Sequence, residues 1–351
     1  MGEHGGKRDL QVVAADVFAD ALVEPISRPG LAFREDVRQV TKIDPKPAPV
    51  GCHDQFEVVV EGHGRYVIDV SLPATIEPGA KLPVVLVVDG NYFFDTVQVA
   101  VNGLFAEAAG SVGLRFMPAS IVVGVGYPKS EGTLSTVVRR HYDFYDPWDM
   151  EDALGRLVRE TFKAYAASEG LPELEVRAGG YEGFMAFLRD ELLPALAEHY
   201  PIDLEARHTL IGVASGGYFV LRALYDPKSP FSRYVAISAA GGAPGAIERA
   251  EAAYAADHAD LAADVFLCVG TAEIDGIHGA TSQFASTMAR AAEQFTLRQW
   301  PSGGLTWETM NNEDHHSIVP RAVGAGLRSV HGTRPAGGLA IQAARPGPPL
   351  T

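Results

Sequence analysis

Cysteine is scarce in this sequence: only Cys52 and Cys268. Two thiols cannot make a disulfide framework, and no CxxC or Cys/His cluster suggests zinc. Cys268 sits in the apolar run "DVFLCVG" and reads as a core thiol. Positive charge is also short, with 29 Lys and Arg against 44 Asp and Glu, a formal net charge of −15. Phosphate backbones and anionic lipid heads repel such a chain, so no nucleic-acid partner is expected. Long apolar runs are missing too. None reaches the length of a membrane span, and the start "MGEHGGKRDLQVVAADVFADALVEP" has no apolar h-region. The expectation is a cytoplasmic protein without a membrane partner. Disorder is not expected either, because 47% of the 351 residues are hydrophobic and only 21% are charged.

What is present is a rhythm. Residues 1–50 mix charge, Pro and Gly and read as an arm. "DQFEVVVEG" and "RYVIDVSLP" alternate as a β-hairpin does. "LPVVLVVDG" is a continuous apolar run ending at Asp-Gly, as expected of a strand buried on both faces of a parallel sheet. A helical stretch from Tyr92 and the strand "ASIVVGVGYP" follow. Residues 129–180 break the alternation: "EGTLSTVVRRHYDFYDPWD" has no clear period, and Met150–Gly170 reads as an amphipathic helix. Then come helix 179–200, strand "HTLIGV", helix "GGYFVLRALYD", strands "SRYVAISAA" and "DVFLCVG", helix "SQFASTMARAAEQF", strand "TLRQWPSG" and a helix from Pro320 to Val330. The fold class expected is α/β, a mostly parallel sheet covered on both faces with antiparallel N-terminal edge strands. It spans 51–331, with 129–180 as a lid-like insertion over the carboxyl edge and 332–351 as a disordered tail. Ligands bind at that edge in such sheets.

The stretch "TLIGVASGGYF" joins a strand to a helix, the setting of a nucleophile elbow, Gly-x-Ser-x-Gly. Two registers fit. One anchors on Gly212 and Gly216 and puts Ala214 in the nucleophile slot. The other uses Ser215 and leaves Val213 where a small residue belongs. After the last expected strand, "NNEDHHSIVP" offers His315 and His316 as a loop base. After "CVG", Glu273 and, in reserve, Asp275 are acids able to orient an imidazole. Arg139, Arg140, His141, Tyr142, Tyr145 and Trp148 crowd the insertion, able to line an aromatic or anionic pocket or simply a surface loop. Tyr127 and Tyr218 either face such a pocket or pack in the core. Tyr92 and His316, beside Asn91 and His315, complete the candidate substrate contacts.

In order, "VVDGNYFF", "IGVASGGYF", "CVGTAEID" and "EDHHSIVP" resemble an esterase family of α/β-hydrolases that includes esterase D-like, siderophore trilactone and feruloyl esterases. The resemblance covers about residues 54–331 and is weakest over 129–180. Members read Asp-Gly-Asn, Gly-His-Ser-x-Gly-Gly-x-Phe, Gly-x-x-Glu/Asp and Asp-His-Gly-Ser. Gly216, Gly217 and Phe219 match only if Ala214 holds the nucleophile position, where the family has Ser. The resemblance then implies His315 as base, Glu273 as acid, and the backbone N–H groups of Ser215 and Asn91 as the oxyanion hole. It implies a small-molecule ester or lactone substrate and no metal or organic cofactor. The oligomeric state is left open by the sequence, with a homodimer as one option. Ala214 itself has three explanations: an engineered Ser-to-Ala change, a natural hydrolase scaffold that binds without turnover, or use of Ser215 after a shift of the turn. An acyltransferase on the same scaffold is the further alternative.

Overall fold

Residues 53–105, 117–171, 175–274 and 282–332 are described by the computed structural model. The expected N-terminal arm, Cys52, Asp275 and the tail beyond Gly332 lie outside them. Val84–Val88 (β3), the apolar run of the sequence, is buried along its whole length. It must therefore be covered on both faces, and every other element is arranged to do so.

The elements run as follows: β1 His53–Val60, β2 Gly64–Ser71, β3, α1 Gly90–Phe105, β4 Ile121–Gly126, α2 Gly132–Phe144, α3 Ala153–Ser168, α4 over residues 181–197, β5 His208–Val213, α5 Ser215–Leu224, β6 Phe231–Ile237, α6 Ala246–Asp257, β7 Asp264–Gly270, α7 Phe284–Arg298, β8 Gly304–Met310 and α8 Ile318–His331. A π-turn, Phe187–Leu192, lies within α4. The eight strands form one sheet in the order β1-β2-β4-β3-β5-β6-β7-β8. β1, β2 and β4 pair antiparallel, and β3–β4, β3–β5 and β5 through β8 pair parallel. The hairpin thus forms the antiparallel edge that the sequence predicts. The parallel strands end together, so the loops after β3, β5, β6, β7 and β8 share one edge.

Two apolar layers cover the sheet. One face carries α1 and α8, through Phe94, Val97, Val101, Ile318, Val323 and Leu327. The other carries α4–α7, including Phe184, Phe187, Phe219, Ile247 and Met288. A third, small cluster joins α2 to α3 through Leu134, Phe162, Tyr165 and Ala166. Cys268 is fully buried in β7, and burial pushes its thiol up.

Two sequence expectations need correction. "TLRQWPSG" is not a strand: α7 continues through Arg298, Gln299 turns left-handed (φ 54°), and the last strand is "GLTWETM". The stretch without a clear period contains helix α2, whose apolar face is interrupted by the buried His141 and Asp143. Helix α6 has no counterpart among the elements expected from the sequence. Among the described residues no helix is long and apolar enough to cross a membrane.

Candidate active site

β5 ends at Val213, and the chain reverses at Ala214 with φ 55° and ψ −119°. Few L-residues adopt this backbone, because Cβ crowds the neighbouring peptide. The bend is held from both sides: Ala214 N–H donates to the Ile237 carbonyl at 3.0 Å, and its own carbonyl accepts from Tyr218 N–H (3.0 Å) and Ala240 N–H (3.2 Å). Gly212 is required just before it, since a Cβ there would collide with the Gly216 carbonyl. The strained residue is therefore 214, not 215, and the methyl group stands half-buried at the tip. Ser215 opens α5, so its backbone N–H has no partner within the helix. Nearby, Tyr145 donates its hydroxyl to the Ala240 carbonyl at 3.0 Å, and burial pushes its phenol up to about 12.

On the neighbouring strand, β3 gives way to α1 through Asp89, also left-handed at φ 57°. Asn91 lies in the first turn of α1, where N–H groups lack intrahelical acceptors. The turn is packed against β4 so closely that a Cβ on Gly126 would lie 2.6 Å from the Asn91 nitrogen. Asn91 Oδ1 accepts from Tyr127 N–H at 3.2 Å, which fixes the side chain away from the helix axis. Asp89 is fully buried, and burial raises its pKa against the pull of Arg140. Arg140 Nε lies 2.6 Å from Asp89 Oδ1, and its Nη2 donates to Oδ2 at 2.8 Å.

Beyond β7, a 3-10 turn, Thr271–Ile274, presents Glu273. The Glu273 side chain is almost wholly buried, and its Oε1 lies 2.7 Å from His315 Nδ1. Phe284 stacks on the imidazole with ring centroids 4.3 Å apart. The two loops are tied by Ala272 N–H, which donates to the Glu313 carbonyl at 3.1 Å. A carboxylate on Nδ1 holds the tautomer that leaves Nε2 as the basic nitrogen.

No family model matches the chain. A ferri-bacillibactin esterase, BesA of Bacillus subtilis (strain 168), is 33% identical over 178 residues, 49% of this chain and 52% of that protein. A siderophore triacetylfusarinine C esterase of Aspergillus fumigatus is 29% identical over 198 residues, 55% of this chain and 58% of that one. The chain thus spans little more than half the length of the curated relatives it matches. Among solved structures, the siderophore hydrolase EstA from Aspergillus nidulans superposes with a TM-score of 0.63 at 19% identity, over 82% of this chain and 96% of that one. The BES protein from Bacillus cereus gives 0.61 at 24% identity, over 84% and 100%. The matched curated relatives are named as esterases, and the solved structures share the α/β-hydrolase fold.

The remaining sequence candidates divide. Tyr92, 46% exposed, and the exposed His316, edge-on to His315 at 5.6 Å, stand open near Asn91 and His315. Arg140 reaches Asp89 beneath the β3 turn. Three others turn elsewhere. Tyr127 is buried and donates to Asp143 Oδ2 at 3.1 Å. Arg139 bonds to Glu131 Oε2 (2.8 Å) and to the carbonyls of Arg65 (2.6 Å) and His63 (2.8 Å), with its cation over the Tyr66 and Tyr127 rings. Tyr218 donates to Asp146 at 3.2 Å and packs edge-on against Tyr145. Of the alternatives left by the sequence, Tyr127 and Tyr218 take the core. Asp143 is the centre that the sequence did not reveal. It also lies 2.8 Å from His63 Nδ1 and accepts from Tyr66 at 2.7 Å, clamping α2 to the hairpin.

Proposed function

We propose that this chain carries the site of a carboxylic ester hydrolase, and that Ala214 occupies the position of its nucleophile. The observation that carries the reading is the left-handed Ala214 at the end of β5, on the same sheet edge as a Glu273–His315 pair bonded at 2.7 Å. The strained turn exists to aim a side chain out of the sheet edge. A buried carboxylate on Nδ1 exists to make an imidazole a directed base. The N–H groups of Ser215 and Asn91, at two adjacent helix starts, are the donors for a carbonyl oxygen that gains charge.

With serine at position 214, the reaction runs through an acyl-enzyme. The hydroxyl oxygen bonds to the ester carbonyl carbon while His315 takes its proton. The oxyanion rests on the two N–H groups, and the C–O bond to the alcohol breaks as His315 protonates the leaving oxygen. Water then repeats the sequence on the acyl group. With Ala214 the first bond cannot form, so the chain binds the ester without acyl transfer. The named relatives, siderophore esterases, support a small-molecule ester or lactone as the substrate class. Residues 129–180 are proposed as its cover, since Tyr145 from this segment donates to the Ala240 carbonyl (3.0 Å), next to the Ala214 bend that Ala240 N–H holds.

The experiment is Ala214→Ser assayed on aryl esters and on siderophore lactones. Loss of a triad nucleophile costs roughly a million-fold in kcat. The replacement is therefore expected to raise turnover by about a thousandfold or more and to make residue 214 react with an organophosphate. A serine variant that stays inert and unlabelled overturns the reading.

A further inference from the structure

The two oxygens of Glu273 have different partners. Oε1 faces His315 Nδ1. Oε2 accepts two hydrogen bonds, from Ser238 Oγ at 2.7 Å and from Gly270 N–H at 2.7 Å. Ser238 follows the last residue of β6, is fully buried, and has φ 47°, a conformation unusual for a non-glycine residue. Its N–H still donates to the Cys268 carbonyl at 2.9 Å, so the ladder between β6 and β7 runs up to this residue before the chain bends. Two residues on, Ala240 N–H binds the Ala214 carbonyl at 3.2 Å. The segment 238–240 thus touches the β5 bend with one end and the acid with the other.

We propose that Ser238 is a positioning residue for the Glu273–His315 pair. A carboxylate this deeply buried needs donors to offset its lost hydration and to keep one rotation. Gly270 N–H supplies one fixed direction. The Ser238 hydroxyl supplies the second, and together they leave Oε1 to the imidazole. The left-handed backbone aims that hydroxyl, because an extended residue at the end of β6 would point its side chain into one of the sheet faces. The inference rests on the hydrolase reading above and adds a residue that the sequence pattern does not disclose.

The test uses Ser238→Ala and Ser238→Gly, each in the native chain and with Ala214→Ser. Ser238→Gly lacks the hydroxyl but relieves the positive φ, so a loss common to both variants belongs to the hydroxyl and not to a folding defect. In the Ala214→Ser background, kcat is expected to fall about tenfold with KM unchanged, the scale of one hydrogen bond to a charged group. With Glu273→Gln also present, Ser238→Ala is expected to cost nothing further, the non-additivity of residues acting through one another. In the native chain, the low-field Nδ1 proton resonance of His315 is expected to broaden and move upfield. Unchanged kcat and an unmoved resonance overturn the inference, as does a loss that adds to that of Glu273→Gln. If Ala214→Ser itself shows no turnover, the hydrolase reading fails, and the resonance still decides the role of Ser238.

Discussion

Replacing Ala214 by glycine should stabilise the protein, although it removes a side chain from a packed bend. The φ of 55° and ψ of −119° put the methyl group against its own peptide. Such a conformation costs about 1–3 kcal/mol for a non-glycine residue. Glycine abolishes that cost and loses roughly 0.5–1 kcal/mol through the freer unfolded chain. The net gain is about 1 kcal/mol, which for a domain of this size moves Tm up by about 2 °C. Two residues earlier the sign reverses. A Cβ on Gly212 meets the Gly216 carbonyl, a backbone atom that cannot swing away, so Gly212→Ala is expected to lose ~3 kcal/mol by overpacking. Thermal melts followed by circular dichroism at one protein concentration measure both. The contrast needs no substrate and tests only where the bend lies. If Ala214→Gly lowers Tm while Gly212→Ala is tolerated, the elbow is not at residue 214, and the nucleophile position is wrongly assigned.

Two further outcomes follow from buried charge. Arg140 holds the fully buried Asp89 with two nitrogens, and Arg140→Ala leaves that carboxyl alone, at a cost of about 3 kcal/mol in urea denaturation. Arg140→Lys should recover only part of this, since an ammonium cannot make the two-pronged contact; full recovery would count against the geometry. Burial lowers His141 from 6.5 to about 4 and His331 to about 3. The unfolded chain therefore takes up protons that the folded one refuses, and stability is lost as pH falls from above 6.5 toward 4. For His141 alone the loss is roughly 3 kcal/mol, and His141→Phe should flatten the dependence of Tm over that window. Parallel melting curves for the two proteins would rule it out.

The parts of the fold legible in the sequence are those fixed by local pattern. Val84–Val88 reads as a buried strand because nothing polar interrupts it, and the hairpin reads from its alternation. "TLIGVASGGYF" reads as a strand–turn–helix because its glycines have one steric use. Glu273 and His315 are singled out by the resemblance together with their loops after expected strands, and their side chains meet at 2.7 Å. What the sequence hid depends on partners far away in the chain. Helix α2 carries His141 and Asp143 on its buried face, which spoils its apolar period. Asp143 is tolerated there only because Tyr66, Tyr127 and His63 converge on it. The edge strand β8 is only half-buried over most of its length, so it lacks the apolar run of its neighbours, while the end of α7 imitates one. Ser238 looks like any serine after a strand until the neighbouring loop brings a carboxylate to it.

The bend at Ala214 is built wholly from main-chain atoms: one donor into β6 and one carbonyl shared between a helix and the next loop. Its hydrogen bonds are consequently the same whatever side chain hangs from it. On the hydrolase reading proposed above, a methyl and a hydroxymethyl group would share the same scaffold, and a single oxygen atom would divide a receptor from a catalyst. The surrounding machinery can persist unchanged on either side of that divide.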